Sequence, residues 1–194
     1  TGGTGSATTC TTNASGVCSI TITSNTAGSG TVTASVGGTA VSNSPAAYAF
    51  LALPTLSQSY SPTFVAASAN STYTLTIGNT NASADVTSAA FTITFPAGVT
   101  VSGQGGTCVG ATLAGQVITL ASGSSIPAAS SCTITATVKS ATVGAYSATY
   151  NTLATTTAGS AAAPSAASFT VAAPSATTST VTAAANNAPA DGTS

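Results

Sequence analysis

Only three of the 194 side chains are charged (Lys139, Asp85 and Asp191), and histidine, tryptophan and methionine are absent. Ordinary domains carry roughly a quarter charged residues, so the depletion argues against a nucleic-acid partner, which needs a Lys/Arg surface, and against an anionic membrane surface. Two separated carboxylates without a histidine offer no acid–base pair, no Ser-His-Asp triad and no cluster for calcium. No catalytic, cofactor-binding or metal-ligating residue is therefore expected, and the chain does not read as an enzyme.

In chain order, residues 1–43 read as short strands: SATTC (6–10), then VCSITIT (17–23) after a TTNASG turn, then TVTASVGGTAV (31–41). Cys10 and Cys18 flank the first hairpin. Residues 44–53, bounded by Pro45 and Pro54, read as a connector with Tyr48, Phe50, Leu51 and Leu53 packed against a domain end. AAFTITFPAGVTV (89–101) is the clearest strand, turn and strand. Phe91, Ile93 and Phe95 alternate with Thr92 and Thr94, which puts the large apolar groups on one face. No other strand is expected to place three such side chains on one face.

Further strands follow at GGTCVG (105–110), QVITL (116–120), SCTITATV (131–138) and GAYSATY (144–150), with AASFTV (166–171) to close. Turn-rich stretches separate them, and no 3.6-residue period is sustained. That pattern predicts an all-β fold, an antiparallel Ig-like β-sandwich with Greek-key links. Three strands are too few for an independent sandwich, so residues 1–43 are expected to form only a partial one. The boundaries are a partial Ig-like domain at 1–43, a connector at 44–53 and a complete sandwich at 54–172. A linker and terminal strand then occupy 173–194.

Two segments carry resemblances. GSATTCTTNASGVCSITITSNTAGSGTVTASVGG resembles the C-terminal half of the bacterial Ig-like repeats of intimin- and invasin-type surface proteins. The opening of the same repeat, with its Ala-Asp-Gly turn, resembles residues 178–194 through PADGT. Between them, SPTFVAASANSTYTLTIGNTN and FPAGVTV are similar to a repeat domain of unknown function common in large bacterial exoproteins. Members often carry an acidic residue two places before the Phe of the Phe-Pro turn. Ile93 stands there in this chain, so no carboxylate role carries over.

The four cysteines form two local pairs, Cys10 with Cys18 and Cys108 with Cys132. Zinc is the rival reading, but CxxC spacing and histidine are missing, which favours disulfides. Loop-closure entropy gives roughly 2.5 kcal/mol for the shorter bridge and roughly 3.5 for the longer. Disulfides imply an oxidising, extracellular setting, and no apolar run reaches the ~20 residues of a membrane span. The chain reads as a mature exported product or a piece of one.

Sequons at Asn13, Asn70 and Asn81 fall in predicted turns, where a glycan could attach. O-linked sugar on the Ser/Thr-rich stretches is a parallel option. Lys139 reads as a solvated strand end, with an isopeptide cross-link as the rival; Asp85 and Asp191 read as turn residues bonded to their own backbone. The Thr-x-Thr runs suggest an ice-binding array, but their spacing is irregular and fits ordinary outward strand faces.

A surface without charge lacks the repulsion that keeps molecules apart. The split Ig-like signature then predicts other copies of the chain, or adjacent repeats, as partners in a surface filament or stalk. The C-terminal tail would complete the partial sandwich by strand donation. The second reading is an adhesin-type module whose loops at 102–107 and 121–131 contact a host or glycan.

Overall fold

The computed structural model describes residues 4–5, 9–24, 26–88 and 90–173. Positions 6–8 of the first expected strand lie outside the described residues, as does the 178–194 stretch with Asp191. The described residues contain strands, turns and loops, and no helix.

Six short strands come first: β1 (Thr4–Gly5), β2 (Ile22–Thr23), β3 (Gly28–Val32), β4 (Ser35–Val36), β5 (Thr39–Ala40) and β6 (Ala46–Phe50). They pair as three antiparallel ribbons, β1 with β2, β3 with β6 and β4 with β5. The stretch at 31–41 is thus no single strand. Gly37 and Gly38 both have positive φ, 58° and 86°, and turn the chain between β4 and β5. The expected connector is also partly strand: β6 lies against β3 with Tyr48 opposite Gly30. A Cβ at Gly30 would meet the Tyr48 hydroxyl at 2.6 Å, so the small residue there seats the ring. Around the Cys10–Cys18 bridge, residues 9–21 form a turn and not the two expected strands.

The remaining strands are β7 (Thr55–Ser61), β8 (Phe64–Ala66), β9 (Ser71–Asn79), β10 (Val86–Thr87), β11 (Phe91–Thr94) and β12 (Val99–Gly106). After them come β13 (Ala111–Ala114), β14 (Val117–Leu120), β15 (Ser125–Ile126) and β16 (Ser130–Ser140). Last are β17 (Gly144–Tyr146), β18 (Thr149–Tyr150) and β19 (Phe169–Ala172). One layer is a four-stranded sheet in the order β12-β16-β9-β7. The other combines β13-β14-β11-β18 with β17-β19-β8. The chain passes back and forth between layers from β9 to β11, β12, β13, β16 and β17, which is Greek-key linkage in an Ig-like sandwich. GAYSATY is divided, since β17 and β18 join different sheets. One pairing is parallel, β19 with β8.

Alternation explains the core. Phe91, Ile93 and Phe95 are all buried, while Thr92 and Thr94 are not. They are not alone: Tyr73, Leu75 and Ile77 on β9 are also fully buried and form an equally heavy face in the opposite layer. β9 runs between β16 and β7, so both its edges are paired and one of its faces is covered. Rings from the two layers meet in the middle, Tyr73 against Phe95 at 5.1 Å and Tyr60 against Phe169 at 5.4 Å. In β12 the register shifts between Ser102 and Gly105, so the expected loop at 102–107 is largely a bulged strand. At Gly106 a Cβ would come within 2.1 Å of the Thr133 carbonyl oxygen, so only glycine lets β12 approach β16 there.

Candidate assembly surface

Chemistry-bearing residues are few, and the structure scatters them. Asp85 is exposed; its carboxylate accepts from the Ala128 N–H at 2.9 Å and the Ser125 hydroxyl at 3.3 Å. It therefore fastens the loop around β15 and does not close a turn on its own backbone. Lys139 is exposed on β16, opposite Thr100 on β12, as a solvated strand residue. No group of three His, Cys, Asp or Glu side chains comes together among the described residues. No helix among them is long and apolar enough to cross a membrane.

The sequons part company. Asn13 and Asn70 are exposed. The Asn13 Oδ1 accepts the N–H groups of Ser15 and Val17 and shapes the turn inside the Cys10–Cys18 loop. Asn81 is buried, and its amide is engaged at both ends. Its Nδ2 donates to the Ala52 carbonyl at 3.0 Å and to Asn79 Oδ1 at 2.8 Å, and its Oδ1 accepts the Ala52 N–H at 2.7 Å. A glycan cannot be attached to that nitrogen without dismantling the contact, so Asn81 is removed from the acceptor set. Its neighbour Asn79 donates to the carbonyls of Ala84, Ile126 and Pro127. The two amides clasp the incoming chain to the sandwich, a buried network in which each polar group has a partner.

Cys108 and Cys132 are bridged, with Cα atoms 4.8 Å apart, and both are buried. The bridge fastens the segment after β12 to the first half of β16. Cys10 and Cys18 are bridged as well, in exposed chain.

Three tyrosines join the layers through their hydroxyls. Tyr73 and Tyr150 share a hydrogen bond of 2.9 Å, and Tyr150 donates to Gln58 Oε1. The Tyr60 oxygen accepts the Ala148 N–H at 3.1 Å. Burial, the largest cause, pushes all three phenols above their ordinary range; for Tyr73 the bond to Tyr150 adds to the rise. They stay neutral and serve as structural cross-ties.

The outward face of the first layer replaces charge with hydroxyls. Strand register sets Ser61, Thr72, Thr137 and Ser102 in one row, Ser59, Thr74 and Thr135 in the next, and Ser57, Thr76 and Thr133 in a third. The Thr-x-Thr runs are irregularly spaced along the chain, yet pairing brings them into rows. Sheet twist turns each row against the next.

The opposite property holds at the N-terminal end. No described side chain before Pro54 is buried. Val36 is 71% exposed, and Val17, Ile20, Val32 and Val41 are also exposed. Tyr48 and Phe50 pack edge to face at 5.5 Å on β6, half-buried. Beside them a cleft of about 480 Å³ opens, lined by Ala27, Phe50, Leu51, Leu53, Thr157 and Ala158 among others. Strands with apolar faces are present here, and a covering layer is absent among the described residues. Sequence reading placed the incompleteness at 1–43 but missed β6. The alternation of Tyr48 and Phe50 with alanines was the available signal.

Residues 54–171 match the model of a domain of unknown function, DUF7933. The chain belongs to the DUF7933 family. No curated protein matches it. Among solved structures, this DUF7933 chain is similar to a non-cellulosomal cohesin from the hyperthermophilic archaeon Archaeoglobus fulgidus. The identity is 9% and the TM-score 0.42, over 61% of this chain and 91% of the cohesin. The seventh ScaB type I cohesin from Pseudobacteroides cellulosolvens gives 13% identity and TM-score 0.42, over 63% and 94%. A pilus backbone from Streptococcus pneumoniae gives 13% and 0.37, over 54% of this chain and 31% of that one. Scores this low carry no functional argument.

Proposed function

We propose that the chain is a structural module of an extracellular bacterial filament or stalk, joined head to tail through its N-terminal strands. One observation carries the reading: the described chain from residue 9 to residue 53, β2 to β6 included, presents apolar side chains with no buried residue among them, beside a DUF7933 sandwich that closes its own core. Such a face is stable once another layer covers it. The occupant we favour is the 178–194 tail of a second copy or of an adjacent repeat, because its likeness to the opening of the Ig-like repeat complements the N-terminal likeness to that repeat's end. Two disulfides suit an oxidising compartment, and the uncharged surface favours self-association.

The reading is structural and not catalytic, since Asp85 is held by backbone and hydroxyl donors and no group of three His, Cys, Asp or Glu side chains comes together among the described residues. The adhesin reading is not favoured: 102–107 is mostly β12, and 121–131 has no aromatic residue and is fastened by Asp85 and Asn79. Deleting residues 178–194 should abolish the association of the chain in sedimentation while leaving the melting of the sandwich unchanged. A truncated chain that still assembles would sink the proposal.

A further inference from the structure

We propose that the first and last strands of the sandwich form a mechanical clamp, so that the module carries tension along its long axis through β7 and β8 at one end and β19 at the other. This rests on reading the chain as a structural module. The observation behind it is where the chain enters and leaves. Entry is at Ala52, held by Asn81 at the end of β9 where Thr55 faces Gly78. Ser61 faces Thr72 near the other end of β9, and the chain continues outward into β8. Ser68 then donates to the Ser140 carbonyl at that far end. β19 runs alongside β8, with Ala172 opposite Ala66, so the chain also leaves there. Entry and exit lie at opposite poles.

The parallel pairing of β8 with β19 decides how tension acts. Ladder hydrogen bonds run across strands and not along them. A pull on β8 toward the entry pole and on β19 toward the exit pole slides the strands past one another. All bonds of the ladder are then loaded together. A pull across the strands would open them one at a time, at lower force. Thr170 N–H donates to the Thr63 carbonyl at 2.7 Å at the start of this ladder. Val65 and Val171 face each other within it, and both are buried, which keeps water from competing for its bonds. Ahead of it, β7 is held to the buried β9 along its whole length, also in shear.

The test is single-molecule extension of the full chain with handles at its two ends. Thr170→Pro removes the donor to Thr63 and should lose most of the rupture force of the sandwich. Ile118→Ala, a buried change on β14 away from the terminal strands, should melt at lower temperature yet rupture near the wild-type force. The clamp is wrong if Thr170→Pro keeps the wild-type force, or if both variants lose force in proportion to their thermal stability. An arm without substitutions covers a Thr170→Pro chain that fails to fold. With one handle moved from the N-terminus to Lys139, near the exit pole, the load crosses the β19 ladder, and the rupture force should drop. Equal force in both geometries would overturn the clamp. Reducing the Cys108–Cys132 bridge should lengthen each rupture step by about 80 Å, the reach of the 24 residues it closes off; a step of unchanged length would mean that rupture does not open the core, against the clamp. These readings concern one molecule, so the proposal can fail while head-to-tail assembly stands, and the reverse.

Discussion

Ile93 shows how little stands behind each apolar contact in a chain with so few large side chains. It is fully enclosed, with Phe91 on its own strand, Phe95 just past the strand's end, and Ile118 opposite on β14. Ile93→Thr removes apolar volume and places a hydroxyl among buried apolar neighbours, a cost of roughly 2–4 kcal/mol. Denaturant unfolding should show it, and an unchanged midpoint would refute the placement. That residue was legible in the sequence because large apolar and threonine side chains strictly alternate around it. Asn81 was not. An Asn-Ala-Ser in a turn reads the same whether its amide points to water or to the backbone of Ala52, 29 residues earlier. Asp85 misled for the same reason, its partners lying 40 and 43 residues ahead. Short polar side chains in turns carry no sign of direction.

At the scale of strands and layers, the strongest elements announce themselves and the weak pairings do not. β9, β11, β14 and β16 follow from period-two alternation, although the weight of Tyr73, Leu75 and Ile77 was underestimated beside the two phenylalanines. β6 was hidden by its flanking prolines. The parallel partnership of β8 and β19 spans more than a hundred positions, and local pattern cannot reveal it. Two predictions belong here. The phenols of Tyr60, Tyr73 and Tyr150 are raised by burial in the folded state, so the unfolded chain releases their protons first. Their contribution is complete below the unfolded value of about 10 and is lost as pH rises beyond it. Melting temperature should hold near pH 8 and fall by about pH 11; a flat profile would contradict the buried cross-ties. The second concerns the bridges. Replacing Cys108 and Cys132 together by alanine should lower the sandwich's stability by roughly 3 kcal/mol, whereas the same change at Cys10 and Cys18 should leave its calorimetric transition in place. Equal losses would mean that the exposed N-terminal loop is part of the same cooperative unit.

For the molecule as a whole, the contrast is between a closed sandwich and an open set of ribbons on one chain. Composition foretold the class, since small, uncharged, β-favouring residues with turn signals leave few alternatives. It did not foretell the poles, which depend on strand order and on the sheet each strand joins. The placement of Lys139 has a consequence outside mechanics. A protease that cuts after basic residues finds one candidate bond in the entire chain, between Lys139 and Ser140. In the native state that bond lies within β16, hydrogen-bonded to β12, with Val138 and Ser140 buried on either side of the lysine. Cleavage must wait for the strand to open, and opening such a central strand approaches global unfolding. Trypsin-like enzymes should therefore cut the folded sandwich slowly, at a rate set by the opening of the end of β16.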